Sequence, residues 1–215
     1  MRIVLGIWMV VVVILALLVS PPLLGLGDAG RIFYFHVPCA WVSFFAYAVA
    51  AYCGARYLLS RRADWDCKSA AASQIGLLFT VLATASGAVW AEAAWGQWWN
   101  WDPRETAAFI VLLVYGDYFA LRMSIEQPEQ RTAISAAYAL IAIVPAIFLI
   151  YVAPRLVESL HPSPVLPGGE EKGSIEPFIR NVLFASLAGF TGLFVWMWRI
   201  QTRIERIALG KDAQL

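Results

Sequence analysis

Six long apolar runs, separated by short polar segments, dominate the chain. Their lengths match the roughly 20 residues that a helix needs to cross the hydrocarbon core of a membrane. The pattern therefore predicts an all-α polytopic membrane protein with a single domain over residues 1–215 and no internal repeat. The predicted membrane helices cover residues 3–19, 37–59, 70–90, 103–121, 133–153 and 178–200.

The first run resembles a secretory signal only in part. It follows a single Arg2, but its seventeen residues exceed a typical signal core and no small-x-small cleavage site follows. We expect a retained helix that ends before Ser20-Pro21-Pro22. In the fifth run, Pro145 predicts a kink.

The basic residues predict the orientation, because Lys and Arg accumulate on the cytoplasmic side of membrane helices. Eleven of the sixteen fall on one side: Arg2, Arg56, Arg61, Arg62, Lys68, Arg122, Arg131, Arg199, Arg203, Arg206 and Lys211. The other five are Arg31, Arg104, Arg155, Lys172 and Arg180. Both termini are then cytoplasmic, and loops 20–36, 91–102 and 154–177 face outward.

Composition agrees with a membrane protein and excludes other classes. Hydrophobic residues make up 60% of the chain and charged residues only 14%, against about 25% in soluble domains. The net charge is +1 without a basic tract, so nothing indicates nucleic acid as a partner. Cys39, Cys53 and Cys67 form no CxxC or CxxCH, so we expect small apolar core residues.

Five of the ten tryptophans lie in one twelve-residue stretch that reaches into the second outward loop: Trp90, Trp95, Trp98, Trp99 and Trp101. If residues 95–102 are helical, Trp95, Trp98, Trp99 and Asp102 share one face of a short amphipathic segment. Such an aromatic platform suits a large flat ligand. An interfacial belt of tryptophans is the alternative interpretation.

The residues that follow predict a helix start. Asp102-Pro103-x-Glu105 places an aspartate at the N-cap, a proline at the first helical position and a glutamate at N3, as in a capping box. Arg104 is suited to pair with carboxylates such as the propionates of a porphyrin.

Both histidines of the chain, His36 and His161, fall in outward loops. A single interfacial histidine is usually a hydrogen-bonded amphipathic residue, but two of them flank the aromatic platform here. Neutral imidazole is a common axial ligand of haem iron, so the pair predicts a non-covalent haem site. Asp117, near the cytoplasmic end of the fourth run and close to Arg122, is expected to be interfacial or paired.

The run Trp95-Gly96-Gln97-Trp98-Trp99-Asn100-Trp101-Asp102-Pro103-Arg104 resembles the WWD signature of bacterial cytochrome c maturation proteins. Chain length, six predicted helices and one outward histidine on each side of this signature are most similar to haem exporter protein C, the CcmC family. The resemblance covers essentially the whole chain and is strongest in residues 31–41 and 90–106.

The resemblance implies that haem b binds non-covalently at the periplasmic face of the bacterial inner membrane and is presented to a periplasmic haem chaperone. It also implies an ABC-type ATPase, its membrane subunit and a small single-span subunit as partners. His36 and His161 would be the axial ligands. The residues that would hold the porphyrin are Trp95, Trp98, Trp99, Trp101, Asp102 and Arg104. We expect no catalytic residue, and the chain has no Walker A sequence for ATP hydrolysis.

Other classes remain as alternatives. The run Pro103-Arg104-Glu105-Thr106 resembles the larger cytochrome c synthase branch of the superfamily, which also has a transmembrane histidine pair that this chain lacks. The chain would then be a synthase-type haem lyase component. A cytochrome b redox subunit needs four ligands inside the helices, which two outward histidines do not supply. A transporter or scaffold would show no haem spectrum.

Overall fold

The computed structural model describes residues 2–22, 26–161 and 176–212, and these residues form helices and no β-strand. Six segments are long and apolar enough to cross a membrane, which confirms the all-α, six-helix prediction. The helices are α1 Arg2–Ile14, α2 Phe33–Ser60, α3 Ala63–Trp95, α4 Pro103–Ser124, α5 Pro128–Ile147, α6 Ala153–Leu156 and α7 Pro177–Asp212. π-helical turns at Leu15–Val19 and Phe148–Val152 extend α1 and join α5 to α6, and a 3₁₀ turn at Asp28–Ile32 precedes α2.

The helices run up and down, so their connections lie at two ends. We call the end that carries the 3₁₀ turn and segments 96–102 and 157–161 the site end. The opposite end carries the tight turn at Arg61, whose φ of 54° is left-handed, and the α4–α5 connection. Arg2 and Asp212, the first and last described residues, lie toward this opposite end.

Helices α1 and α7 pack closely because glycines let the backbones approach. Met9 and Trp8 lie against Gly189, and Leu5 lies against Gly192. The Trp8 indole N–H also donates to the Ala185 carbonyl at 2.9 Å. Small residues are favoured at such membrane interfaces, where close van der Waals contact replaces the hydrophobic effect.

Buried tyrosines hold the centre of the bundle. The Tyr47 ring of α2 lies against Gly76 of α3 and stacks on Tyr115 of α4. Its hydroxyl hydrogen-bonds the Thr80 hydroxyl at 2.8 Å, so this buried polar group is paired. Three helices are thereby fixed to one another beneath the site end.

An ion pair links α3 to α4 at the opposite end. Arg122 donates to both carboxylate oxygens of Asp66, at 2.9 and 2.7 Å, and the Asp66 side chain is only 3% exposed. A bidentate pair is the geometry in which a buried carboxylate is tolerated. Arg122 is therefore paired with a residue outside the predicted spans, while Asp117 lies exposed on α4.

The predicted start of the second helix was wrong, and Pro38 explains the difference. Helix α2 begins at Phe33, so His36 lies in its first turn rather than in the preceding loop. Pro38 has no N–H to donate to the Tyr34 carbonyl four residues earlier. The Ser186 hydroxyl of α7 donates to that carbonyl instead, so the helix continues through the proline.

Other helix bounds also differ from the predicted spans. Helix α3 begins seven residues before residue 70 and ends at Trp95, so the second loop shortens to residues 96–102. A kink was predicted at Pro145; helix α5 continues through this proline to Ile147 and is followed by the π-helical turn. Much of the predicted loop 154–177, with Lys172, lies outside the described residues.

A test of the helix packing is Gly54→Ala, because a Cβ there would lie 2.8 Å from the Ala136 carbonyl oxygen of α5, a backbone atom that cannot move freely. We expect a loss of about 1–3 kcal/mol, measured as a lower midpoint of thermal unfolding in detergent. Gly116→Ala is the control, since no atom lies within 4 Å of its Cβ position. It should leave stability unchanged or raise it by up to about 1 kcal/mol. Equal midpoints for both variants would contradict this packing.

Candidate functional site

Residues 96–102 are not helical, so the condition under which Trp95, Trp98, Trp99 and Asp102 would share one helical face is not met. Gly96 ends α3 in a left-handed conformation with φ of 73°, and Trp101 also has a positive φ of 63°. Pro103 disfavours the helical conformation for the residue before it, and Asp102 is extended, with ψ of 143°. The segment therefore crosses the site end as an irregular loop.

The capping box predicted at the start of α4 is confirmed. Asp102 is the N-cap and accepts a hydrogen bond from the Arg104 N–H at 2.9 Å, with Pro103 at the first helical position. Glu105 Oε2 accepts from the N–H groups of Asn100 and Asp102, at 3.0 and 3.3 Å. These bonds fix the loop to the helix that follows it.

Asp102 also binds the chain segment that carries His161. One carboxylate oxygen accepts from His161 Nδ1 at 2.8 Å, and the other accepts from the Leu160 N–H at 2.7 Å and the Ser159 hydroxyl at 2.9 Å. The Asp102 side chain is 1% exposed. One buried carboxylate thus joins α4, the tryptophan-rich loop and the segment before residue 162.

The protonation of this pair follows from its surroundings. Burial raises the pKa of the Asp102 carboxyl, but the hydrogen bonds from Arg104, Leu160 and Ser159 and the nearby His161 outweigh it and hold the pKa below its usual value. Burial lowers the pKa of the His161 imidazole more than the Asp102 charge raises it. At neutral pH, a neutral ring therefore donates its Nδ1 proton to an ionised carboxylate.

His36 is held in a similar way by α3. Its Nδ1 lies 3.0 Å from the Ala83 carbonyl oxygen and 3.2 Å from the Ser86 hydroxyl. A carbonyl only accepts, so the Nδ1 of His36 carries the proton. A Cβ on Gly87 would lie 2.9 Å from the His36 ring, so only glycine leaves room for the imidazole there.

The tryptophans divide into three environments rather than forming one platform. Trp90 and Trp95 contact the His161 ring, with centroids 5.6 and 4.9 Å away. Trp99 packs edge-on against Trp101 and Phe109. Trp98 and Trp101 are 59% and 68% exposed. Trp90 and Trp95 therefore line the histidine site, and Trp98 and Trp101 lie at the surface.

The two histidines share one chemical feature. Each has its Nδ1 proton bonded to an oxygen acceptor, and among the described residues neither Nε2 has a hydrogen-bond partner. Both contact α3 near the site end: Ser86, beside His36, lies one turn, or about 6 Å, below Trp90, beside His161. This is the arrangement of metal-ligating histidines, whose second nitrogen is oriented by a carbonyl or carboxylate.

Two arginines lie beside this site, and the sequence suggested a role for only one. Arg104, in the first turn of α4, has a buried Nε without a hydrogen-bond partner among the described residues. Arg155 of α6 donates to the Tyr151 carbonyl and is otherwise exposed. Arg155 was missed because its proximity to Arg104 depends on the packing of α6 against α4, which no local motif reveals.

The fold and site define a class: a polytopic membrane protein with two oriented histidines and clustered tryptophans at one end of the bundle. The family model described as "Heme exporter protein C" matches residues 1–214. The chain belongs to the haem exporter protein C (CcmC) family. The resemblance seen in the tryptophan-rich run is confirmed over the whole chain.

Individual relatives are similar to this chain at moderate identity. "Heme exporter protein C" of Rhodobacter capsulatus is 29% identical over 206 residues, 92% of this chain and 85% of the relative. The Paracoccus denitrificans protein of that name is 29% identical over 181 residues, 83% of this chain and 74% of the relative. "Cytochrome c biogenesis protein CcsA" of Prochlorococcus marinus is 42% identical over only 86 residues, 40% of this chain and 27% of the relative.

Asp102→Ala tests whether this carboxylate holds the His161 segment. The substitution removes the N-cap acceptor, at a cost of about 1 kcal/mol, and leaves the Leu160 N–H and His161 Nδ1 without their partner. We expect faster amide hydrogen exchange in residues 157–161 and in the first turn of α4. Asp28→Ala is the control, because that carboxylate at the same end is 80% exposed. Unchanged exchange in Asp102→Ala would show that the segment is held by other contacts.

Proposed function

We propose that this protein binds haem b non-covalently between His36 and His161 and presents it for cytochrome c maturation. Membership of the haem exporter protein C family supports a role in haem delivery. The observation that carries the site assignment is the shared state of the two rings, since both have Nδ1 occupied and Nε2 unpaired among the described residues. The haem is cargo rather than a resident catalyst.

The donor set fits haem iron. A porphyrin supplies four equatorial nitrogens, so two neutral imidazoles complete the coordination. Asp102 makes the His161 imidazole a stronger donor by accepting its Nδ1 proton, and the Ala83 carbonyl does so more weakly for His36. Trp90 and Trp95 beside His161 supply aromatic surface for a flat ligand.

The residues predicted to hold the porphyrin then take different roles. Trp95 contacts the His161 ring, whereas Trp98 and Trp101 are exposed and are available to cover a porphyrin or a partner. Asp102 acts on haem through His161, because its carboxylate oxygens are already hydrogen-bonded. Trp99 supports the loop by packing against Phe109. Arg104 would pair with a propionate carboxylate of the ligand.

We further propose that the site end faces the periplasm of a bacterial inner membrane. The excess of basic residues at the opposite end supports this orientation. A periplasmic haem chaperone would receive the haem there, and an ABC-type ATPase, its membrane subunit and a small single-span subunit would complete the assembly. In this proposal the protein positions haem and catalyses no bond formation.

A synthase-type haem lyase component is the second candidate function. The 42% identity to a cytochrome c biogenesis protein CcsA over 86 residues supports it, although this match covers 27% of that relative. Incubating the haem-loaded protein with an apocytochrome peptide that contains CxxCH distinguishes the two. Covalent c-type haem would favour the synthase, and release of intact haem b would favour delivery.

The test of the haem site is the haem-to-protein ratio of His36→Ala and His161→Ala. Loss of either axial ligand should weaken haem binding by about tenfold or more and convert six-coordinate haem to five-coordinate haem. The measurement is a titration of the purified protein followed at the Soret band. Gly116→Ala serves as the control for handling and folding.

Rescue by free imidazole distinguishes an axial ligand from a histidine that only supports the structure. In His161→Gly, free imidazole should restore the six-coordinate spectrum if the missing group is an axial ligand. Unchanged haem affinity in both alanine variants would remove these histidines as ligands and overturn the proposal.

A further inference from the structure

We propose that Arg104 and Arg155 form a clamp for the two propionate carboxylates of the bound haem, with Arg155 as a specificity-determining residue. The proposal rests on the proposed haem site and adds to it a carboxylate-binding subsite. Arg104 lies at the start of α4 and Arg155 in α6, and these helices are in contact. The two guanidinium groups are close enough to repel each other.

Neither guanidinium forms an ion pair within the part of the chain that the structure describes. The Asp102 carboxylate attracts the Arg104 guanidinium. However, the Asp102 carboxylate already accepts hydrogen bonds from Ser159, Leu160, His161 and the Arg104 backbone N–H. The side chains of Arg104 and Arg155 are therefore left without a carboxylate partner among the described residues.

The donors that remain match a carboxylate ligand. Arg104 Nε is buried and has no hydrogen-bond partner in the part of the chain that the structure describes, which is costly for a cationic donor unless an acceptor occupies the site. Arg155 uses one N–H for the Tyr151 carbonyl, and most of its planar fork stays exposed. Two adjacent arginines are suited to two carboxylates, each taken by a charge-assisted pair.

The location of this subsite points to the edge of haem. Arg104 is close enough to His161 to influence it electrostatically, so the clamp lies beside one proposed iron ligand. Haem is an apolar disc with two propionates on one side, and an axial ligand next to a carboxylate clamp fixes both its position and its rotation. The two histidines bind only the iron, so they do not distinguish free propionates from esters. The arginines would therefore provide the selectivity for free carboxylates.

The same chemistry also suits a lipid phosphate at headgroup depth, and the experiment separates the two sources. Haem and its dimethyl ester, in which both carboxylates are neutral, are titrated against the purified full-length protein and Arg155→Gln. We expect the wild-type protein to bind haem about tenfold more tightly than the ester. Arg155→Gln should weaken haem binding by about three- to tenfold and leave ester binding unchanged, because the subsite is partly exposed to solvent.

Two controls complete the design. Arg180→Gln removes another exposed arginine at the same end and should change neither affinity. Arg155→Lys should keep part of the preference for haem that Arg155→Gln loses, since lysine keeps the positive charge but lacks the planar fork. In nanodiscs with and without phosphatidylglycerol, the preference for haem over its ester should persist.

Three results would overturn the clamp: equal affinity of the wild-type protein for haem and ester, equal weakening of both by Arg155→Gln, or an Arg155→Gln variant that loses only bound phosphatidylglycerol. These differ from failure of the haem site itself, which would appear as the absence of any histidine-dependent Soret change. If the protein binds haem through its histidines with the same affinity as the ester, the clamp fails but the proposed function stands.

Discussion

The hydrogen bond between His161 Nδ1 and Asp102, at 2.8 Å, is the contact on which the site end depends. His161 lies at the end of a described segment without a long helix of its own, so the buried carboxylate is what positions its ring. The same carboxylate caps α4 and thereby fixes the tryptophan-rich loop. Cap, loop and proposed iron ligand are one hydrogen-bonded unit, and a change in any of them is transmitted to the others.

The rest of the bundle holds the other proposed ligand, His36. His36 is carried by a continuous helix through Pro38, whose missing hydrogen bond is replaced by Ser186 of α7, and its ring is fixed against α3. The Tyr47–Tyr115 stack and the Asp66–Arg122 pair hold α2, α3 and α4 together below it. One proposed ligand thus belongs to the helical frame, and the other is joined to that frame through Asp102. Haem that bridges them would tie the segment at residues 157–161 to the bundle, and its release would free that segment.

The sequence predicted the features that depend on local chemistry or on hydropathy. Six spans follow from six apolar runs, and the capping box follows from the spacing of Asp102, Pro103 and Glu105. The predictions from sequence were wrong or incomplete where contacts between helices determine the structure. A helix over residues 95–102 would place Trp95, Trp98, Trp99 and Asp102 on one face, but the chain is not helical from Gly96 to Asp102. The start of α2, the Asp66–Arg122 pair and the position of Arg155 all depend on neighbouring helices, which no single segment encodes.

We propose that both histidines bind one iron through their unpaired nitrogens. Pulsed electron paramagnetic resonance of the ferric haem-loaded protein, prepared with ¹⁵N-labelled histidine, tests it most directly. With only two histidines in the chain, we expect a low-spin iron coupled to two labelled nitrogens. His36→Ala and His161→Ala should each leave coupling to one. A low-spin spectrum without coupling to histidine nitrogen, or one that persists unchanged in either variant, would contradict it.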